Sequence, residues 1–302
     1  MNNIQNIAQK REETIDTIRK FFKDQNFREV FTPILVPTPS CEPNLEVFET
    51  ELRYATGYKQ RAFIIMSPEY SIKKLMAAGV GSCFEITHCF RNEEEVSPLH
   101  NPEFTMIEWY RVGGDYKDVM ADCEALFTKI LGVKMRYQGA DYDLSLPWQR
   151  YTVAELFGTV EPPEDDFYKI FFNEIEPKLK ASKRPAIIYD YPLYAASLAK
   201  RKKDNPNVAE RFEIFLAGVE LGNCFTELTD GREQRLRFKK DMTERKRLGK
   251  TEYPIDKELL SVLDKIPPVS GIAVGVDRLV MLAMDVPTVA ETMCFPAGEI
   301  FS

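Results

Sequence analysis

The chain has 302 residues, of which 44% are hydrophobic and 12% aromatic, enough to build a substantial core. Its net charge of −7 excludes a protein whose main task is to coat nucleic acid. Six cysteines without a Cys-x-x-Cys pair, and two histidines at His88 and His100, argue against a zinc site or a disulfide framework and place reduced thiols in cytoplasm. The N-terminus, Met-Asn-Asn-Ile-Gln-Asn, lacks signal-peptide character, and no apolar run approaches the roughly 20 residues needed to span a bilayer, so no membrane is expected.

Ile4, Ile7, Ala8, Ile15, Ile18 and Phe22 fall on one face of a helix over 4–22. Arg28 to Leu35 reads as a short strand interrupted by Pro33, which belongs at a sheet edge or at a boundary with another subunit. Residues 37–50, with Pro37, Pro39 and Pro43, read as a loop, and Ala62 to Met66 as a buried strand. Ser67 and Pro68 then supply a cap and a first helical position, with Glu69 in the first turn and a stop at Gly79 and Gly81.

Cys83 onward alternates into a hairpin. Arg91 and Glu93 are two apart on its first strand, and Phe104, Met106, Glu108 and Tyr110 share one face of the second. A guanidinium, several carboxylates and two rings on one sheet face suit a bound nucleotide, although a solvated amphipathic hairpin would look the same. After it, Tyr116 to Ile130 repeats at helical spacing until Gly132, as core.

The middle third offers helices over 151–157 and 165–179, a buried strand over 186–189 and a polar loop over 200–207. Phe212, Ile214 and Leu216 alternate, followed by a strand over 218–228 that carries Glu220, Leu221 and Glu227. Seven residues put the two glutamates on opposite faces of a regular strand, so a shared site requires a bulge, most naturally at Gly222. Residues 232–250 carry nine basic residues and read as a helix, either solvated or offered to an acidic partner. In Gly271-Ile-Ala-Val-Gly275 the small residues share one face, letting a ligand approach the backbone, and Arg278 projects from the helical turn that follows. The spacing does not fit a dinucleotide-binding Gly-x-Gly-x-x-Gly, which excludes a Rossmann site. Two arginines, a ring and paired carboxylates are the parts needed to activate a carboxylate with ATP and Mg²⁺.

Collinear motifs carry a specific resemblance. Gln25 to Leu35, Phe90-Arg91-Asn92-Glu93 through His100-Asn101-Pro102-Glu103-Phe104, and Gly271 to Arg278 resemble the three motifs of class II aminoacyl-tRNA synthetases, within them the lysyl group. Two departures, Ala273 at a usual glycine and a first helix that leads almost directly into the first motif with no OB anticodon-binding domain, are similar to the stand-alone paralogues that attach (R)-β-lysine to a lysine of elongation factor P. Ser67-Pro68-Glu69-Tyr70 and Glu227-Leu-Thr-Asp230 are similar to them as well.

The resemblance implies an α+β fold with an antiparallel sheet flanked by helices, a single catalytic domain over 1–302, and a homodimer formed through the first motif. It implies that Arg91, Asn92, Glu93, His100, Asn101, Phe104, Glu220, Leu221, Gly275 and Arg278 bind ATP, with Arg91 and Arg278 catalytic. Ser67, Pro68, Glu69, Tyr110, Glu227 and Ala273 would surround lysine or β-lysine, and Glu220 and Glu227 would hold Mg²⁺. The acceptor would be elongation factor P rather than tRNA, met by the loop from Glu94 to Leu99, which is a residue longer than expected. A truncated lysyl-tRNA synthetase with another acceptor, or a non-catalytic synthetase-like regulatory protein, are the alternatives.

Overall fold

The computed structural model describes residues 2–93, 96–159 and 162–301. Helix α1 (Asn2–Asp24) buries Ile7, Ile18 and Phe22, while Ile4 and Ala8 from the expected stripe stay exposed. The strand expected over 28–35 is only β1 (Arg28–Glu29), because Pro33 removes a ladder donor; the chain then leaves the sheet and returns as β2 (Leu35–Val36). Strands β3 (Glu49–Arg53) and β4 (Lys59–Ile64) complete a three-stranded sheet with β2, so the loop ends at residue 48 rather than 50.

Helix α2 (Glu69–Ala77) starts one residue later than expected: Pro68 holds the cap position instead of Ser67, no side chain caps the helix, and the Glu69 amide donates only weakly to Ser67 Oγ at 3.4 Å. Strands β5 (Cys83–Phe90) and β6 (Glu103–Val112) form the hairpin. Its first strand is shorter than expected. It ends at Phe90, and Glu93 adopts a left-handed φ of 58°, so Arg91 and Glu93 do not share a strand face. Glu94 and Glu95 of the connection lie outside the described residues.

Helix α3 (Tyr116–Leu131) starts from a capping box built on Asp115 and Asp118. A ribbon of β7 (Lys134–Tyr137) and β8 (Ala140–Asp143) leads to β9 (Gln149–Thr152) and α4 (Val153–Phe157). The helix expected over 165–179 is α5 (Phe167–Ile170) and α6 (Glu176–Ala181), joined by one π-turn over 171–175. The remaining strands and α-helices are β10 (Ala186–Pro192), β11 (Val208–Leu216), β12 (Val219–Thr226), α7 (Gly231–Arg247), α8 (Lys257–Val262), β13 (Val269–Gly275), α9 (Val276–Met284) and α10 (Ala297–Ile300).

The main sheet runs β1-β5-β6-β13-β12-β11-β10-β9. Every pair inside it is antiparallel, and the two edge strands, β1 on β5 and β9 on β10, are parallel. One face packs on α1, α3 and α9 through Phe22, Phe84, Ile107, Trp109, Phe127, Ile272 and Leu279, all essentially inaccessible to water. Fully burying side chains of this size contributes about 1.5–3 kcal/mol each. The other face is partly covered by α2, α7 and α8 and is left hollow between them.

Candidate active site

That hollow is a cavity of about 1240 Å³ whose floor is the sheet. Strand period decides what it sees. Ile107 and Trp109 of β6 point into the core, and Phe104, Met106, Glu108 and Tyr110 line the cavity. Opposite them in register stand the small residues of β13: Gly271 faces Tyr110, Ala273 faces Glu108 and Gly275 faces Met106. A Cβ on Gly271 would lie 2.3 Å from the Tyr110 ring, so the ring needs that glycine to lie flat on the sheet.

Strand β12 contains the expected bulge. Gly222 pairs with Ile214 and Glu220 with Phe215, which leaves Leu221 as the additional residue. Gly222 beside it admits no side chain, since a Cβ would sit 2.7 Å from Val274 Cγ2. The inserted residue restores parity, and Glu220 and Glu227 both line the cavity.

One end of the cavity is cationic and aromatic. The Arg91 guanidinium lies 5.2 Å from the centre of the Phe104 ring. Arg278 donates to the main-chain oxygen of Glu220 at 2.7 Å and to that of Leu99 at 3.4 Å, and its Nη2 lies 3.0 Å from His100 Nε2. An arginine can only donate, so Nε2 accepts and the ring proton sits on Nδ1, donating to Ser97 Oγ at 2.8 Å. Asn101 lines the same end, but its amide is engaged by the backbone: it donates to Glu103 O and accepts from the Ala297 amide. Helix α9 is fixed beneath by Asp277, which accepts from Arg11 and from the Thr105 amide.

The opposite end is acidic and buried. Glu69, Glu108 and Glu227 are each less than a tenth exposed. Lys73 Nζ stands 2.5 Å from Glu69 Oε1 and 2.6 Å from Glu227 Oε2, and Tyr110 Oη donates to Glu108 Oε1 at 2.5 Å. Burial together with the charges of Glu69 and Glu227 drives the Glu108 carboxyl well above the usual range and so favours its neutral form. Burial raises Glu227 to about 7, against the downward pull of Lys73.

Of the residues singled out in the sequence, Ser67, Glu69, Arg91, His100, Asn101, Phe104, Tyr110, Glu220, Leu221, Glu227, Ala273, Gly275 and Arg278 line this cavity. Pro68, Asn92 and Glu93 do not: Pro68 occupies the cap position just before α2, and Asn92 and Glu93 are exposed beyond the end of β5. The expected metal pair also fails. Glu220 and Glu227 are seven residues apart along an extended strand, roughly 20 Å at ~3.3 Å per residue, too far to share one ion. Glu227 is moreover ion-paired to Lys73.

The cavity brings Glu213 beside Glu220 instead, and burial, against the pull of Arg211 and with repulsion from Glu220, raises the Glu213 carboxyl. Glu213 accepts from Tyr191 Oη at 2.6 Å and from Arg211, whose Nε donates to Asn223 Oδ1 at 3.0 Å. Arg211, Glu213 and Asn223 were missed. The alternation of Phe212, Ile214 and Leu216 put Arg211 and Glu213 on the other face, and that was the available signal.

Helix α7 is not uniformly solvated. Arg245 is fully buried and binds Glu46 together with the carbonyls of Glu42 and Leu45, so it holds the 42–46 segment over the cavity. Arg237 is spent on Glu233 and the carbonyls of Ala196 and Ala199. Among the described residues no cluster of three or more potential metal-ligating side chains occurs, and no helix is long and apolar enough to cross a membrane.

A mostly antiparallel sheet with helices behind it, an arginine–aromatic end and an arginine leaving a small-residue strand define the class II synthetase type of catalytic domain. The family described as "tRNA synthetases class II (D, K and N)" matches residues 1–299, and the chain belongs to it. Relatives named elongation factor P–(R)-β-lysine ligase resemble it along nearly their whole length. The one from Proteus mirabilis is 37% identical over 95% of this chain and 94% of its own. That from Actinobacillus succinogenes is 38% identical over 94% and 93%, and that from Vibrio cholerae 37% over 92% and 91%.

Proposed function

We propose that this protein is an AMP-forming ligase that activates (R)-β-lysine or lysine with ATP and transfers it to a lysine side chain of elongation factor P. One observation carries the reading. A single cavity holds a cationic, aromatic end and an acidic end along one sheet face, matching a nucleoside triphosphate at one side and a diamino acid at the other. The names of the relatives supply the acceptor.

In the first step the amino acid carboxylate attacks the α-phosphorus of ATP, forming a mixed anhydride and releasing pyrophosphate. Arg91 and Arg278 oppose the charge that builds on the phosphate oxygens, and Phe104 stacks on the base. Glu69 and Glu227 hold an ammonium of the amino acid, and Tyr110 closes that end. In the second step an acceptor amine attacks the acyl carbon, an amide forms, AMP leaves and the amine proton is released. Proximity supplies much of the rate, since no covalent protein intermediate is needed. Glu213 and Glu220 are the carboxylates suited to Mg²⁺, whose bound form would neutralise phosphate charge.

The same reading includes a homodimer. Phe31, Ile34 and Leu35 of the first motif leave apolar side chains in solvent, with Phe31 79% exposed.

Pyrophosphate exchange into ATP, run with lysine and with (R)-β-lysine, tests the reading. Exchange with either is expected, and mass spectrometry of elongation factor P should show the added residue. No exchange with any lysine isomer overturns it, and charged tRNA with unmodified elongation factor P replaces the acceptor.

A further inference from the structure

The proposed steps leave the buried cation at the acidic end without a task. Lys73 follows Glu69 by one turn on α2, and 1% of its side chain is exposed. It stands behind the acidic wall, whose outer members Glu69 and Glu227 line the cavity. Its single ammonium meets one oxygen of each carboxylate, Oε1 of Glu69 and Oε2 of Glu227, bridging two elements 154 positions apart in sequence.

A buried ion pair by itself is weak grounds for a function, because well-packed apolar residues often replace it at no loss. This one differs in two respects. It is unbalanced, two carboxylates to one ammonium, and the surplus faces a cavity rather than core. The third carboxyl of the wall, Glu108, has one oxygen occupied by Tyr110, while its Oε2 is buried without a hydrogen-bond partner among the described residues. The wall therefore sets two carboxylates against one ammonium and leaves a polar atom of Glu108 still to be satisfied, the complement of one further ammonium.

We propose that Lys73 is a positioning and specificity-determining residue: by holding one oxygen of Glu69 and one of Glu227 it aims both carboxylates at the cavity and offsets part of their charge, selecting a ligand with a side-chain ammonium over a neutral one of similar shape. The proposal rests on the reading that this end takes the amino acid. Lys73 touches no substrate and acts through the two glutamates. An ammonium behind a pair of carboxylates favours their ionised forms against the upward push of burial, and so favours them as acceptors for the ligand.

The test is pyrophosphate exchange by the full chain with lysine and with norleucine, which lacks the side-chain ammonium. For Lys73→Met the KM for lysine is expected to rise at least thirtyfold, the preference for lysine over norleucine to fall at least tenfold, and the KM for ATP to stay within twofold. Lys73→Arg keeps the charge but displaces the carboxylates, so its lysine KM should rise only three- to tenfold. A folded Lys73→Met with the wild-type lysine KM, or with lysine and ATP constants rising together, overturns the proposal. If the Met variant does not melt cooperatively, the Arg variant decides by the same split, and failure of both to fold assigns Lys73 to folding and overturns the inference. Absence of lysine-dependent exchange in the unmodified protein would instead overturn the ligase reading.

Discussion

The two ends of the cavity treat charge in opposite ways. At the arginine end the hydrogen bonds of Arg278 run to main-chain oxygens and to the His100 ring, which orient the guanidinium without cancelling its charge. At the acidic end Lys73 offsets charge from behind, and burial raises the Glu108 carboxyl toward its neutral form. A polyanion brings several negative charges, and a site for it is best kept cationic until it arrives. A diamino acid brings one side-chain ammonium, and a site for it discriminates only if its carboxylates are not already fully paired.

Removing the charge at the arginine end should give the largest effect. Arg278→Ala is expected to slow pyrophosphate exchange about 10²–10³-fold, the usual cost of losing one positioned charge-stabilising donor, with little change in the thermal melt. A melt that falls with activity would make Arg278 a scaffold for the Leu99–His100 connection instead.

Glu227→Gln comes next and tests whether the ends are separate. Losing a hydrogen bond to a charged group costs about 1.5–3 kcal/mol, so the lysine KM should rise roughly ten- to 150-fold while the ATP KM stays put. Equal movement of both constants would merge the ends.

A pH profile sharpens the same contrast. Glu227 is raised to about 7 by burial, opposed by Lys73 and reinforced by Glu69, and only its ionised form attracts an ammonium. Hence kcat/KM for lysine should fall as pH drops through about 7, approaching tenfold per unit, while kcat/KM for ATP stays flatter. Glu227→Gln should abolish that limb, and its survival would assign the limb to another group. The smallest effect is reserved for Ala273, which lies across from Glu108 on the cavity floor. Ala273→Gly adds room for one methyl group, so a shift of severalfold in preference toward lysine over (R)-β-lysine is expected in the exchange assay. Unchanged selectivity would place the amino acid away from β13.

The regular strands were the legible part of this molecule. Period two alone put Phe104, Met106, Glu108 and Tyr110 on one face and Gly271, Ala273 and Gly275 on another, and both faces meet at the cavity. Parity also demanded a bulge in β12 once Glu220 and Glu227 were assigned to one site, and the bulge is there. Parity failed at Arg91 and Glu93 because Glu93 turns left-handed just past the strand, a choice made by the connection and not by any alternation. The pairing of Lys73 with Glu227 and the neighbouring of Glu213 and Glu220 were invisible for a different reason. They depend on which strand lies beside which, and no local pattern encodes that. Lys73 was half-visible, since four residues after Glu69 on a helix is ion-pair spacing.

The bulge at Leu221 gives β12 something like a reading frame. Upstream of it the strand presents Glu220 to the cavity, and downstream it presents Asn223, Phe225 and Glu227, so the inserted residue works as a frame shift that brings two differently phased messages into one site. Deleting Leu221 would remove an aliphatic side chain of little chemical interest. It would also turn the Glu220 carboxylate toward the packed face beside Phe212 and Ile214, or else force everything after it out of phase with β13. For this strand, chain length is under tighter constraint than composition, and a loss of one residue would do more harm than most replacements of that residue could.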